Sequence, residues 1–134
     1  MSEPAPFEQL DFLYTPSRDV AADRDHLLEV LGGIQIFAID DGGTRVAAIQ
    51  LSPGPPAILL TDHLEGDRPI LVYRVADLRA AVERLERAGW DRPRSLEIPH
   101  GPCSSLTTPG GHRFAVYELT RPDVADHFAG RADF

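Results

Sequence analysis

Ala76-Asp77-Leu78-Arg79-Ala80-Ala81-Val82-Glu83-Arg84-Leu85-Glu86-Arg87-Ala88-Gly89 reads as a complete helix with its own start and stop. Asp77 is a residue of the N-capping type. Leu78, Ala81, Val82, Leu85 and Ala88 recur at the spacing of one helical face. Glu83 and Arg87 stand four apart on the wet side, and Gly89 supplies the left-handed backbone at which helices stop. The same pattern occurs earlier in the chain. Arg18-Asp19 opens a stretch running from Val20 to Leu31, with Leu27, Leu28 and Leu31 as its apolar stripe and Gly32 or Gly33 as its stop. Asp19 and Asp77 lie 58 positions apart, Gly32 and Gly89 57 apart. Ser52-Pro53-Gly54 and Thr108-Pro109-Gly110 repeat at a distance of 56. A near-constant period this long marks two copies of one module rather than a solenoid. It directs the search for a site to the space between the copies.

Working outward from the helices, each copy reads strand, helix, strand, strand, strand. In the first, Phe7 to Tyr14 is a strand with Leu10, Phe12 and Tyr14 on one face and Asp11 and Leu13 on the other. Ile34 to Ile39 and Thr44 to Leu51 form a hairpin across Asp40-Asp41-Gly42-Gly43. Ala57 to Thr61 follows the turn at Ser52-Pro53-Gly54-Pro55-Pro56. In the second copy, Ile70 to Val75 precedes the helix. Ser95 to Ile98 follows it, His100-Gly101-Pro102 bends the chain, and Cys103 to Thr107 pairs with Arg113 to Leu119. Module one is therefore expected at about 7–61 and module two at about 69–119, within a single domain. The tail 120–134 carries one helical turn from Pro122, with Val124 and Phe128 four apart. Residues 1–6 are expected to be loosely attached.

The 134 residues are enough chain to bury a core. A hydrophobic fraction of 43% and a charged fraction of 25% are those of an ordinary globular protein. The net charge of −8 and the absence of a basic run make nucleic acid and anionic membrane poor partners. No apolar run approaches the ~20 residues of a spanning helix. Met1-Ser2-Glu3-Pro4 has no basic start, so a cytoplasmic protein is expected. One cysteine excludes an internal disulfide and any multi-cysteine zinc cluster. Twelve prolines and a scarcity of lysine fit a GC-rich bacterial genome.

Two βαβββ modules at this spacing resemble the vicinal oxygen chelate superfamily, which includes glyoxalases, extradiol dioxygenases, fosfomycin resistance enzymes and bleomycin resistance proteins. Leu71-Val72-Tyr73-Arg74-Val75-Ala76-Asp77-Leu78 resembles the family's middle strand and helix start, and Ala88-Gly89-Trp90 its helix end. Thr108-Pro109-Gly110-Gly111-His112-Arg113-Phe114-Ala115-Val116-Tyr117-Glu118 resembles its final hairpin, with Thr108 and Gly110 in place of two aspartates. The resemblance implies an α+β fold: a curved mixed sheet around a cleft, with helices outside.

Metal enzymes of that superfamily draw one His, Gln or Glu ligand from each of four strands, and oxygen-rich substrates chelate the ion. The resemblance carries those positions onto Phe12, Leu59, Ile70 and Ala115, none of which can bind a metal. A shift of one residue brings in Asp11 but otherwise offers Ile58 or Leu60, Pro69 or Leu71, and Phe114 or Val116. No metal and no cofactor are therefore expected. A rival set of Asp11, His63, His100, His112 and Glu118 competes with the plainer reading of surface histidines. A nucleophilic pair of His100 and Cys103 competes with a buried thiol and a loop histidine.

What remains is an apolar concave surface. Two-residue alternation aims Phe12, Tyr14, Leu59, Thr61, Ile70, Val72, Arg74, Ala115 and Tyr117 inward. Tyr14 and Tyr117 suit an aromatic ligand, and Arg74 a carboxylate or phosphate. The same alternation fits a filled core, so both readings stand at this point. Three functions follow: a metal-free binding protein that sequesters or senses a small molecule, a divergent lyase, isomerase or dioxygenase, or a dimeric interaction module with no small ligand. The net charge favours a cationic ligand. The resemblance also implies a homodimer, with the tail around Phe128 near the interface.

Overall fold

Residues 5–91 and 93–134 are described by the computed structural model. The loosely attached start expected for residues 1–6 therefore falls mostly outside the described residues.

The chain forms an eight-stranded mixed sheet, curled into a half-barrel, with two main helices on its convex side. The elements of the first module are β1 (Gln9–Pro16), α1 (Val20–Glu29), β2 (Ile34–Asp41), β3 (Thr44–Gln50) and β4 (Ala57–Thr61). Those of the second are β5 (Ile70–Arg74), α2 (Leu78–Arg87), β6 (Arg94–Ile98), β7 (Gly101–Thr107) and β8 (Arg113–Tyr117), followed by the short α3 (Val124–Phe128). The strand order is β2-β3-β4-β1-β5-β8-β7-β6. Each module thus places its first strand parallel to its last, β1 beside β4 and β5 beside β8. The modules join where β1 runs antiparallel to β5.

Asp19 and Asp77 cap their helices as expected, each side chain accepting from a backbone N–H three residues on, at 3.0 Å. Glu118 reinforces the second cap by accepting from the Leu78 N–H at 2.9 Å. Val20, Leu27 and Leu28 of α1 pack on Ala38, Ala47, Ile49 and Leu60. Ala81, Leu78, Val82 and Leu85 of α2 pack on Val75 and Val116. The first helix is shorter than its apolar spacing implied: it ends at Glu29, and Leu31 is 57% exposed. The chain turns early because Gly33 must pass close to β3. A Cβ there would lie 2.9 Å from both Ile49 and Leu51 side chains.

The alternation expected for β1 breaks at one residue. The register with β5 shifts between Leu10 and Phe12, leaving Asp11 as an extra residue in the strand. Leu10 consequently lies opposite Tyr73, on the convex side with Phe7, whose ring packs on Tyr73 at 5.2 Å. Asp11 turns to the concave side with Phe12. The sequence placed Leu10 on the inner face and Asp11 on the outer; the bulge exchanges them.

The tail crosses the mouth of the half-barrel. Arg121 fastens it to the β6–β7 turn, donating from Nε to the Pro99 carbonyl at 2.8 Å and from its backbone N–H to the His100 carbonyl at 3.1 Å. Phe128 then packs on Phe37 at 5.7 Å. Beyond it, Gly130 N–H bonds Ile36, and residues 131–133 bond both backbone groups of Ala38. The tail so covers the exposed edge of β2, an edge that would otherwise offer free backbone groups to another chain. Among the described residues, no helix is long and apolar enough to cross a membrane.

Candidate functional site

The concave face is built by alternate residues of adjacent strands. Tyr14 sits between Leu59 and Ile70, and Phe12 between Ala57 and Val72, which in turn faces Ala115. Phe12, Tyr14, Leu59, Ile70, Val72, Ala115 and Tyr117 belong to one buried apolar cluster with Phe37, Ile98 and Cys103. Thr61 is fully buried beside them. Arg74 completes the row at the end of β5, its side chain 32% exposed. The nine residues that alternation aimed inward therefore share one face, and most of them fill it.

The four positions to which the superfamily resemblance carries metal ligands are occupied by Phe12, Leu59, Ile70 and Ala115, all buried. They offer hydrocarbon and no lone pair, so these residues do not fit a metal. The rival set is not assembled either. His63 bonds the Tyr14 hydroxyl through Nε2 at 2.7 Å and Thr61 Oγ1 through Nδ1 at 2.6 Å. Glu118 caps α2, and His112 sits at the β7–β8 hairpin. Among the described residues, no group of three or more His, Cys, Asp or Glu is placed to hold a metal ion. Cys103 is buried, and burial pushes its thiol up to about 12, so it is protonated at neutral pH and no nucleophile. Burial likewise raises Tyr14 to about 12.

At one end of this face, polar groups converge on a cleft of about 330 Å³ lined by Asp11, Phe12, Arg74, His100, Tyr117 and Leu119, among others. Asp11 is its hub. Its Oδ1 accepts from Gln9 Nε2 at 2.5 Å, and its Oδ2 accepts from the Tyr117 hydroxyl. Burial and the Asp11 hydrogen bond both raise the Tyr117 pKa, keeping the phenol a donor. Arg74 Nε lies 3.8 Å from Asp11 Oδ2, close enough for charge attraction but too long for a hydrogen bond. That Nε is buried and has no hydrogen-bond partner. The same holds for His100 Nδ1. The imidazole packs on Phe12 with ring centres 4.5 Å apart. Burial pushes His100 down to about 4, with Asp11 opposing and Arg121 assisting, so the ring is neutral at physiological pH.

Of the nine residues expected inside, Phe12, Arg74 and Tyr117 border this cleft. The other six border neither it nor the larger cavity of about 450 Å³ on the far side of the tail, between Ile39, Val46, Ile98 and Phe128. Sequence reasoning missed Gln9, and weighed Asp11 and His100 only in the rival metal set and the thiol pair, not as neighbours of Arg74 and Tyr117. A lone carboxylate between Leu10 and Phe12 in a central strand was a signal for Asp11. For His100 no local signal existed; beside it, Gly101 is pressed so close to Glu118 that a Cβ would sit 2.0 Å from its carbonyl oxygen. His100, the residue before it, lies with its ring on Phe12.

No family model and no curated protein matches the chain. Solved structures do. The methylmalonyl-CoA epimerase of Mycobacterium tuberculosis is similar over 94% of this chain and 97% of its own, at 20% identity and a TM-score of 0.71. A Streptomyces coelicolor methylmalonyl-CoA epimerase, described in complex with 2-nitronate-propionyl-CoA, aligns over 85% of this chain and 99% of its own, at 14% identity and a TM-score of 0.65. A glyoxalase/bleomycin resistance protein/dioxygenase superfamily member from Vibrio splendidus 12B01 aligns over 80% and 94%, at 17% identity and a TM-score of 0.58. The likeness lies in the backbone, where two βαβββ modules join edge to edge: the chain has the fold of the vicinal oxygen chelate superfamily.

Proposed function

We propose that this chain is a metal-free small-molecule-binding protein that holds its ligand in the cleft at Asp11, Arg74, His100 and Tyr117, in a sequestering or sensing role. The observation that carries this reading is the exchange of donors on the concave face. Hydrocarbon fills the four ligand positions of the superfamily, while Arg74 and His100, each with one buried unpartnered nitrogen, border a cleft one end along. Apolar walls with a few convergent polar groups are the general form of a small-molecule site. Buried polar atoms without partners cost stability unless something binds them.

A second reading, a divergent lyase, isomerase or dioxygenase, draws on the same cleft. Carboxylate, phenol and neutral imidazole converge there, and such groups move protons. The homodimer belongs to the proposal too. Val30, Leu31 and Ile34 are exposed at the start of β2, with Leu51 beside Gly33. That patch suits a second copy better than Phe128, which packs inward on its own Phe37.

The test is an amide NMR titration of EDTA-dialysed protein with a library of small organic molecules. Saturable shifts of the Asp11, Phe12, Arg74 and His100 amides support the reading. A library that moves none of them, or moves them only after a divalent ion is added, refutes it.

A further inference from the structure

The cleft also indicates what its ligand must carry. Arg74 approaches Asp11 only through its Nε edge, at 3.8 Å. Among the described residues no hydrogen bond is formed by its two terminal nitrogens, although the side chain is only 32% exposed. Nε alone is buried without a partner, so the terminal fork opens to the cleft and is free to take an anion. A carboxylate accepts two parallel N–H donors from such a fork, as a phosphate does, and the low charge of a carboxylate suits a single cation in an acidic chain.

The surroundings constrain the remainder of the ligand. Phe12, Leu119, Pro55 and Pro122 give the cleft an apolar wall, and the His100 ring lies on Phe12 to extend it. Asp11 does not forbid an anion. Its two oxygens are engaged by Gln9 and Tyr117, and it faces the Nε edge rather than the open fork. Charge interactions fall with distance, so a carboxylate on the fork feels Arg74 more strongly than Asp11. The site holds one free cation fork against an overall charge of −8, which suits a monoanion and penalises a polyanion.

We infer that the ligand is a small monocarboxylic acid with a flat apolar body, its carboxylate seated on the terminal nitrogens of Arg74 and its body against Phe12, His100, Leu119 and Pro122. This rests on the proposed binding role of the cleft. It reverses the expectation, drawn from net charge alone, of a cationic ligand.

Three probes of one shape and different charge test it: benzoate, benzamide and benzylammonium. Each is titrated by NMR into the wild type, Arg74→Gln and Arg74→Lys, with melting temperatures recorded alongside. Benzoate should bind the wild type at least tenfold tighter than benzamide. That advantage should vanish in Arg74→Gln and survive in part in Arg74→Lys, which keeps the charge and loses the fork. The comparison within the wild type needs no variant to fold. If benzamide or benzylammonium binds as tightly as benzoate at the same amides, the carboxylate inference falls and the binding role of the cleft stands. If no probe moves those amides, both fall.

Discussion

Acid should weaken this fold through His100 in particular. The ring's pKa is about 4 in the folded chain and near 6.5 when unfolded, because burial disfavours its charged form. Between those values the unfolded chain binds a proton that the folded chain refuses, so stability rises with pH. The contribution is fully present above about 6.5 and is lost as pH falls towards 4. From pH 7.5 to 5.0, the ~1.5 pH units below 6.5 give a ceiling of about 2 kcal/mol at 1.36 kcal/mol each. The ring is only partly buried, so solvent screening lowers the expectation to about 1 kcal/mol. The assay is urea unfolding of the wild type and of His100→Phe, which keeps a ring on Phe12 and cannot titrate. Carboxylates shared by the two proteins cancel in the comparison. The wild type should lose about 1 kcal/mol more than the variant over this interval. Parallel profiles, or a steeper loss in the variant, would refute a half-buried imidazole that stays neutral beside Phe12.

Other consequences follow from the same packing. Tyr117→Phe removes the hydroxyl that bonds Asp11 and should cost about 2 kcal/mol in urea unfolding, within the range for a hydrogen bond to a charged group; a neutral outcome would mean that Asp11 does not depend on it. Gly101→Ala forces a methyl against the Glu118 carbonyl, so it should destabilise by at least ~2 kcal/mol and disturb the His100 resonances, both visible in one NMR-monitored melt. Light scattering at micromolar concentration should give a dimer, and Ile34→Asp together with Leu51→Asp should shift it to monomer; a wild-type monomer would contradict the docking patch.

Much of the architecture was legible because it is written in local chemistry. Asp19 and Asp77 sit at caps, Gly89 follows the end of α2 in the left-handed conformation, and the apolar spacing of 78, 81, 82 and 85 faces the sheet as read. The duplicated landmarks translate into two modules with the same strand order. The polar cluster at the cleft was less legible. A two-residue period assumes an unbroken ladder, and one inserted residue in β1 reverses the faces of Leu10 and Asp11. His100 read as a loop histidine because nothing local aims it inward; its ring meets Phe12 through a non-local contact. Alternation alone could not separate a pocket from a filled core. Here both are present, since Leu59, Ile70 and Ala115 pack solid while Arg74 and Tyr117 border open space.

On the proposed reading the concave face holds no metal, because the side chains of Phe12, Leu59, Ile70 and Ala115 offer it only hydrocarbon. Elemental analysis of the purified, undialysed protein, calibrated per chain, tests it most directly. Zinc, nickel, iron, cobalt and manganese should each lie far below stoichiometric amounts, and the melting temperature should be indifferent to EDTA. A content of about one divalent ion per chain, lost to EDTA together with several degrees of melting temperature, would contradict it.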